Sequence, residues 1–234
     1  MLKKPKVFKH ATYNPLMPRV TTIKSKIPQW YKDMPVFKDG EKTAKFLPLS
    51  NLTIKHCVPF LDGLTTGYCI PLPVDVLVTQ RFDGPELSWG NNAEPPVSTR
   101  VQSAAPNLPI YEGFSTTHHF IWRMPHVLKL PKGYSVIYTH PLNRYDLPFL
   151  TLSAVVDADW AVGGGNVPFF ISKTFEGVIP QGTPIMQIIP FKREEWVSEE
   201  DPSIVDENKQ HQFDSQTTLS GWYKKTFWNK KTYN

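Results

Sequence analysis

A chain of 234 residues with 40% hydrophobic side chains can bury a substantial core, which excludes a disordered polymer. Its 23 prolines, near twice an ordinary usage of about 5%, exclude an architecture of long helices, because proline lacks the backbone donor and breaks helix interiors. The net charge of +5 is unevenly placed: residues 1–46 hold eleven Lys/Arg against three Asp/Glu, and residues 194–214 hold eight acids against Lys209. Such polarity can steer a nucleic acid or an acidic partner, or let one copy's basic arm meet another copy's acidic segment.

In chain order, residues 1–52 read as an extended basic arm. Met1-Leu2-Lys3-Lys4-Pro5-Lys6 is followed by no apolar stretch of the kind that follows the basic start of a signal peptide, so synthesis in the cytoplasm is expected. No apolar run approaches the roughly 20 residues of a membrane helix, so no membrane partner is expected. Within the arm, Pro28 and Pro35 bracket one helical turn whose Trp30, Tyr31 and Met34 form an apolar knob. A β core domain is expected over residues 53–192. Val74 to Thr79 is its first clear strand, and residues 83–109 are loop with a short hairpin near Leu87 to Trp89. Further strands are expected at Phe120 to Trp122, His126 to Leu130, Ser135 to Thr139, Phe149 to Val156, Val167 to Ile171 and Ile185 to Phe191. Val155, Val156, Ile185 and Ile188 should include core residues. Gly163-Gly164-Gly165 breaks the chain. Residues 193–234 read as an acidic excursion or short helix, then an aromatic and basic tail packed on the core. The fold class is therefore mainly β, a single barrel or sandwich.

The stretch that can carry chemistry is Ser153-Ala154-Val155-Val156-Asp157-Ala158-Asp159-Trp160. A strand ends in two carboxylates at i and i+2, which period two can place on one side, with a ring beside them. Carboxylates activate water or hold divalent metal. Cys57 and Cys69 read as two buried thiols. His118, His119, His126 and His140 lack the His-x-His spacing of a metal pair and read as surface or hydrogen-bonded histidines. The tail's Trp222, Tyr223, Phe227 and Trp228 can stack on a single strand or pack on protein, and packing is expected.

Val155-Val156-Asp157-Ala158-Asp159-Trp160 and Gly182-Thr183-Pro184-Ile185-Met186-Gln187-Ile188 resemble the third and fourth motifs of the dUTPase and dCTP-deaminase superfamily. Leu130-Pro131-Lys132-Gly133-Tyr134 is similar to the turn before its phosphate motif, and Gly67-Tyr68 to part of its first motif. The resemblance covers residues 126–192. It implies a β-clip or jelly-roll-like core, a homo-oligomer, expected as a trimer, and a nucleotide site. In that site Asp157 would be the water-activating carboxylate with Asp159 beside it. Trp160 would lie against deoxyribose and Gln187 on a phosphate, with Tyr134, Asn143 and Arg144 as further contacts. Magnesium is implied only with that nucleotide.

The departures are in the catalytic parts. Cys69 stands where the first motif has Asp. Pro141-Leu142-Asn143-Arg144 replaces the phosphate-binding Arg-Ser-Ser. The chain ends in Lys and aromatics rather than a Gly-rich flap. The whole chain also resembles a group of uncharacterised proteins of tailed bacteriophages, especially marine and cyanobacterial ones. That likeness is carried by Pro59 to Tyr68, Gly133-Tyr134-Ser135, His140 to Phe149 and Ile188 to Arg193. It implies synthesis in a host cytoplasm, location in a virion, and other phage structural proteins as partners. Two functions are expected on these grounds: a non-catalytic assembly or interaction protein, or a nucleotide-binding, sequestering or hydrolysing protein.

Overall fold

The computed structural model describes residues 5–45, 50–90, 94–101, 107–109, 111–114, 118–163, 165–218 and 221–234, and of Val101 and His118 the backbone alone. Met1 to Lys4 and Gly164, named above, and residues 91–93 and 102–106 of the expected loop 83–109 lie outside the described residues. The chain divides into two compact units, residues 1–26 with 67–193, and residues 27–66 with 194–234.

The first unit is mainly β and holds four antiparallel sheets among the described residues. The largest runs in the order Ala154–Val156, Tyr134–Thr139, Pro184–Lys192, Tyr68–Pro71, Thr21–Thr22. A four-stranded sheet runs Phe149–Thr151, Asn166–Ile171, His118–Arg123, Val97–Val101. Two three-stranded sheets hold Lys9–Thr12, His126–Lys129 and Val162–Gly163, and Gly177–Ile179, Val76–Arg81 and Gly84–Ser88. No sheet closes on itself among the described residues. Lys9–Thr12 and Thr21–Thr22, both from the basic N-terminal stretch, add strands at sheet edges.

The β-branched and aromatic residues that mark these strands also fill the core. Trp122 stacks on Phe169 at 3.6 Å between ring centroids, and Phe149 meets Trp122 edge-on. The buried indole Nε1–H donates to Thr151 Oγ1 at 3.0 Å, and the Thr151 hydroxyl donates to the Ile185 carbonyl at 2.7 Å. That short chain of bonds ties the four-stranded sheet to the five-stranded one and satisfies the polar atoms buried there. Ile185 and Ile188 are core residues, Val156 packs partly against the core, and Val155 is 67% exposed.

The apolar run Phe149 to Val156 is two strands, not one. Leu152 N–H turns to the Pro168 carbonyl at 2.8 Å, and Ser153 Oγ meets Thr139 Oγ1 at 2.8 Å, so the chain changes sheets between them. The second piece is the edge strand of the five-stranded sheet, and Ala154 and Val155 are both exposed there.

The second unit carries the helices. Gln29–Asp33 follows Pro28, and Tyr31 stacks on Phe60 of the helix Val58–Thr65, giving the apolar knob its seat. Residues 58–65 therefore depart from the β reading of 53–192. Pro59 in the first turn, with Val58, Leu61 and Leu64 at helical spacing, is the cause. The helices Ile204–Thr217 and Trp222–Thr226 follow the acidic stretch. Tail aromatics pack inside this unit: Trp228 Nε1–H donates to Asp62 at 2.9 Å, and Lys231 pairs with the same carboxylate at 2.8 Å. Cys69 is buried, but Cys57 is exposed, because it sits between a 3-10 turn and a helix rather than in a strand. No helix among the described residues is long and apolar enough to cross a membrane.

Candidate functional site

The strand Tyr134–Thr139 pairs on both sides, and its registers build the site. Val156 lies opposite Val136 on one side, and Lys192 lies opposite Tyr134 on the other. The residues just past each partner, Asp157 and Arg193, therefore arrive at the same end of Tyr134–Thr139, beside the turn at Gly133.

There Arg193 Nη1 lies 3.0 Å from Asp157 Oδ1, and Nη2 donates to Asp159 Oδ2. Nη1 also donates to Ser135 Oγ at 3.1 Å and to the Tyr134 carbonyl at 3.3 Å. Asp157 accepts the Ser135 hydroxyl at 2.6 Å, and Asp159 accepts the Gly133 N–H at 3.1 Å. The Gly133 carbonyl in turn accepts the Arg193 N–H at 2.9 Å. The Ser135 hydroxyl, then Arg193, holds the Asp157 carboxyl below its ordinary pKa; Arg193, then the Gly133 N–H, does the same for Asp159. Asp159 in turn raises the Arg193 guanidinium. Donors that favour the ionised carboxylate weaken it as a base.

The other candidates fall into two places. Tyr134 belongs to the Asp157 end, where Lys6 Nζ lies 5.9 Å from its ring centroid. Trp160 follows the pair and stands 81% exposed. Gln187 is at the opposite end. It lies opposite Thr139 while Phe191 lies opposite Ser135, so four strand residues, roughly 13 Å, separate it from the Asp157 end. Gln187 is fully buried and its Oε1 accepts the Leu142 N–H at 2.8 Å. Asn143 occupies the left-handed position of the turn that Gln187 supports, with φ 61°. Arg144 forks onto Asp146 at 2.8 and 2.9 Å and donates to the Lys26 carbonyl at 3.2 Å. The structure thus gathers Asp157, Asp159 and Tyr134 in one place and Gln187, Asn143 and Arg144 in another.

The donor set does not fit magnesium, which demands oxygen ligands in near-octahedral array. Both carboxylates face one guanidinium, and the first-motif position is the Cys69 thiol. That thiol is buried, 3.4 Å from Thr21 Oγ1, and its pKa is raised by burial. Two of the four histidines hold backbone atoms: His126 Nε2 meets the Pro18 carbonyl at 2.8 Å, and His140 Nε2 meets the Arg144 carbonyl at 2.9 Å. His119 is instead buried with no hydrogen-bond partner on Nδ1, and the His118 side chain lies outside the described residues.

Two features escaped the sequence reading. Arg193 enters the sequence reading only as the last residue of the phage-group likeness Ile188 to Arg193, with no role at a site. Lys9, Lys129 and Lys132 share with Asp159 a cleft of about 380 Å³ that also meets Val7, Leu130 and Pro131. Nothing local marks Arg193, because a cation at a strand end is ordinarily satisfied by water and its partner Asp159 is 34 positions away.

No family model matches the chain, and no curated protein matches it. Among solved structures, a dUTPase from phage phi11 of S. aureus, described with its species-specific insert, is similar over 45% of this chain and 96% of its own, at 11% identity and a TM-score of 0.26. A likeness this slight decides nothing about chemistry.

Proposed function

We propose that this chain is a non-catalytic assembly or interaction protein. It would be a virion-associated or accessory component of a tailed bacteriophage that meets its own copies or other phage structural proteins. The observation that supports the non-catalytic part is the Arg193 guanidinium shared by Asp157 and Asp159. A carboxylate that activates water needs basicity and an open lone pair. Asp157 already accepts from Ser135 and Arg193, both on its Oδ1, which lowers that basicity. The phage context rests on the whole-chain resemblance of the sequence. Light scattering at low salt and tens of micromolar protein tests the assembly reading. The expected mass is a multiple of the 26.8 kDa chain, with three copies the first expectation, and a monomer mass contradicts it.

A second reading, nucleotide sequestration without cleavage, is favoured by one observation. Three lysines, Lys9, Lys129 and Lys132, line the cleft that Asp159 also lines, where phosphates would find cations. A ligand that binds the native state raises its melting temperature by mass action. Unchanged melting with every deoxynucleoside triphosphate, magnesium present, is the assembly expectation. A concentration-dependent rise with any of them gives the site to the second reading.

A further inference from the structure

The lysine-lined cleft has an unusual charge arrangement. Lys9–Thr12 pairs with His126–Lys129 so that Lys9 lies directly opposite Lys129. Like charges directly opposite on an antiparallel pair repel. Lys132 joins them at the cleft, and none of the three forms an ion pair among the described residues. The cleft is not purely ionic, because Val7, Leu130 and Pro131 line it too. It asks for a ligand that is anionic and apolar together.

The same chain carries such a ligand. Residues 194–201, Glu-Glu-Trp-Val-Ser-Glu-Glu-Asp, hold five acids and no base. They form neither helix nor strand, and every one of them is exposed. In their middle Trp196 is 86% and Val197 93% exposed. Two adjacent large apolar residues held in water between carboxylates forgo the burial that an indole ordinarily gains. Eight extended residues can span about 26 Å, enough to reach a neighbouring molecule.

Resting on the assembly reading, we infer that the Trp196 arm of one copy docks in the Lys9–Lys129–Lys132 cleft of a second copy. The indole meets Val7, Leu130 and Pro131, and the flanking glutamates relieve the repulsion between the lysines. The apolar lining favours this occupant over a polyphosphate, which would use the lysines and leave that lining bare. Complementary charge supplies register and encounter rate, while the indole is the anchor.

The test uses sedimentation velocity of the full chain at low and high salt. Trp196→Ala should weaken self-association at least tenfold, and salt should weaken the wild type. Lys9→Glu/Lys129→Glu makes both cleft and arm acidic, and Glu195→Lys/Glu199→Lys/Glu200→Lys makes both basic. Each should be monomeric alone, and the two mixed should associate with each other. Circular dichroism checks that each variant keeps the wild-type strand signal. Should the paired lysines prove necessary for folding, Lys132→Glu with Trp196→Ala reads the same docking.

A wild type that stays monomeric overturns the inference along with self-assembly. An oligomer whose mass is the same in all these variants overturns the arm alone and leaves the assembly reading in place. A hydrodynamic change with salt that is independent of protein concentration overturns exchange between copies. Displacement of the second copy by a single-stranded oligonucleotide, or by a deoxynucleoside triphosphate at micromolar concentration, assigns the lysines to phosphate and overturns it as well.

Discussion

Ile188→Asp should leave the strand-rich unit unfolded. Ile188 is fully buried in the strand Pro184–Lys192, which is the middle of five, and it pairs with Tyr68 on one side and Tyr138 on the other. A carboxylate there would stand within the buried apolar cluster of which Ile188 is part. Leaving it charged costs several kcal/mol. Neutralising it at pH 7 moves a pKa near 3.9 by about three units, roughly 4 kcal/mol. Loss of the buried isoleucine removes a further ~2 kcal/mol. The sum is comparable with the whole stability of an ordinary domain, about 5–15 kcal/mol. The measurement is the soluble fraction with its far-ultraviolet circular dichroism. A soluble variant with the wild-type melting temperature would show that this strand is not where the core lies.

The second large effect is expected at Gly67, where two demands coincide. Its φ is +81°, a left-handed value that side chains resist, and a Cβ built on it would sit 2.2 Å from the Ile188 carbonyl oxygen. That oxygen is backbone of the central strand and cannot rotate away. Gly67→Ala should therefore cost about 3 kcal/mol or more, combining the conformational penalty with displacement of a packed strand. For a chain of this size that corresponds to a fall of roughly 10 °C in melting temperature. Gly133 provides the control, since its φ is +82° but its added Cβ meets nothing within 4 Å. Gly133→Ala should cost only about 1 kcal/mol. Thermal melts of the two variants side by side decide it, and equal shifts would remove the steric part of the explanation.

The contrast between these glycines also shows what the sequence could reveal. Gly67-Tyr68 and Gly133-Tyr134 look alike along the chain, and only the fold places Ile188 against one of them. Strands rich in β-branched and aromatic residues, such as Phe120 to Trp122 and Ile185 to Phe191, were legible because their side chains suit a pleated, buried surface. The run Phe149 to Val156 was legible as extended chain but not as two strands, because changing sheets at Leu152 and Ser153 is set by partners at Pro168 and Thr139. The paired carboxylates were legible as a pair. Their common partner was not, because antiparallel register across Tyr134–Thr139 brings Arg193 to them. Gln187 shows the same limit from the other side. A polar residue within an apolar strand reads as ligand-facing, yet it is buried and holds the Leu142 N–H of a turn. Local pattern fixes alternation, not which face meets which neighbour.

The Arg193 contacts also bear on what catalysis would require. As a base, Asp157 would act with a basicity lowered by the Ser135 hydroxyl and Arg193, both held on Oδ1, while Asp159 shares the same guanidinium. Groups that act as a unit lose nearly all of their rate when parts are missing. Here the phosphate-contact candidates Gln187, Asn143 and Arg144 are already engaged within the fold and lie apart from the carboxylates.

The most direct measurement is pyrophosphate release from dUTP and the other deoxynucleoside triphosphates, with magnesium or manganese, comparing wild type with Asp157→Asn. No release above the uncatalysed background is expected from either protein with any of the nucleotides. Turnover by the wild type that disappears in Asp157→Asn would contradict the account, because it would show that Asp157 works as a catalytic base despite its Ser135 and Arg193 bonds.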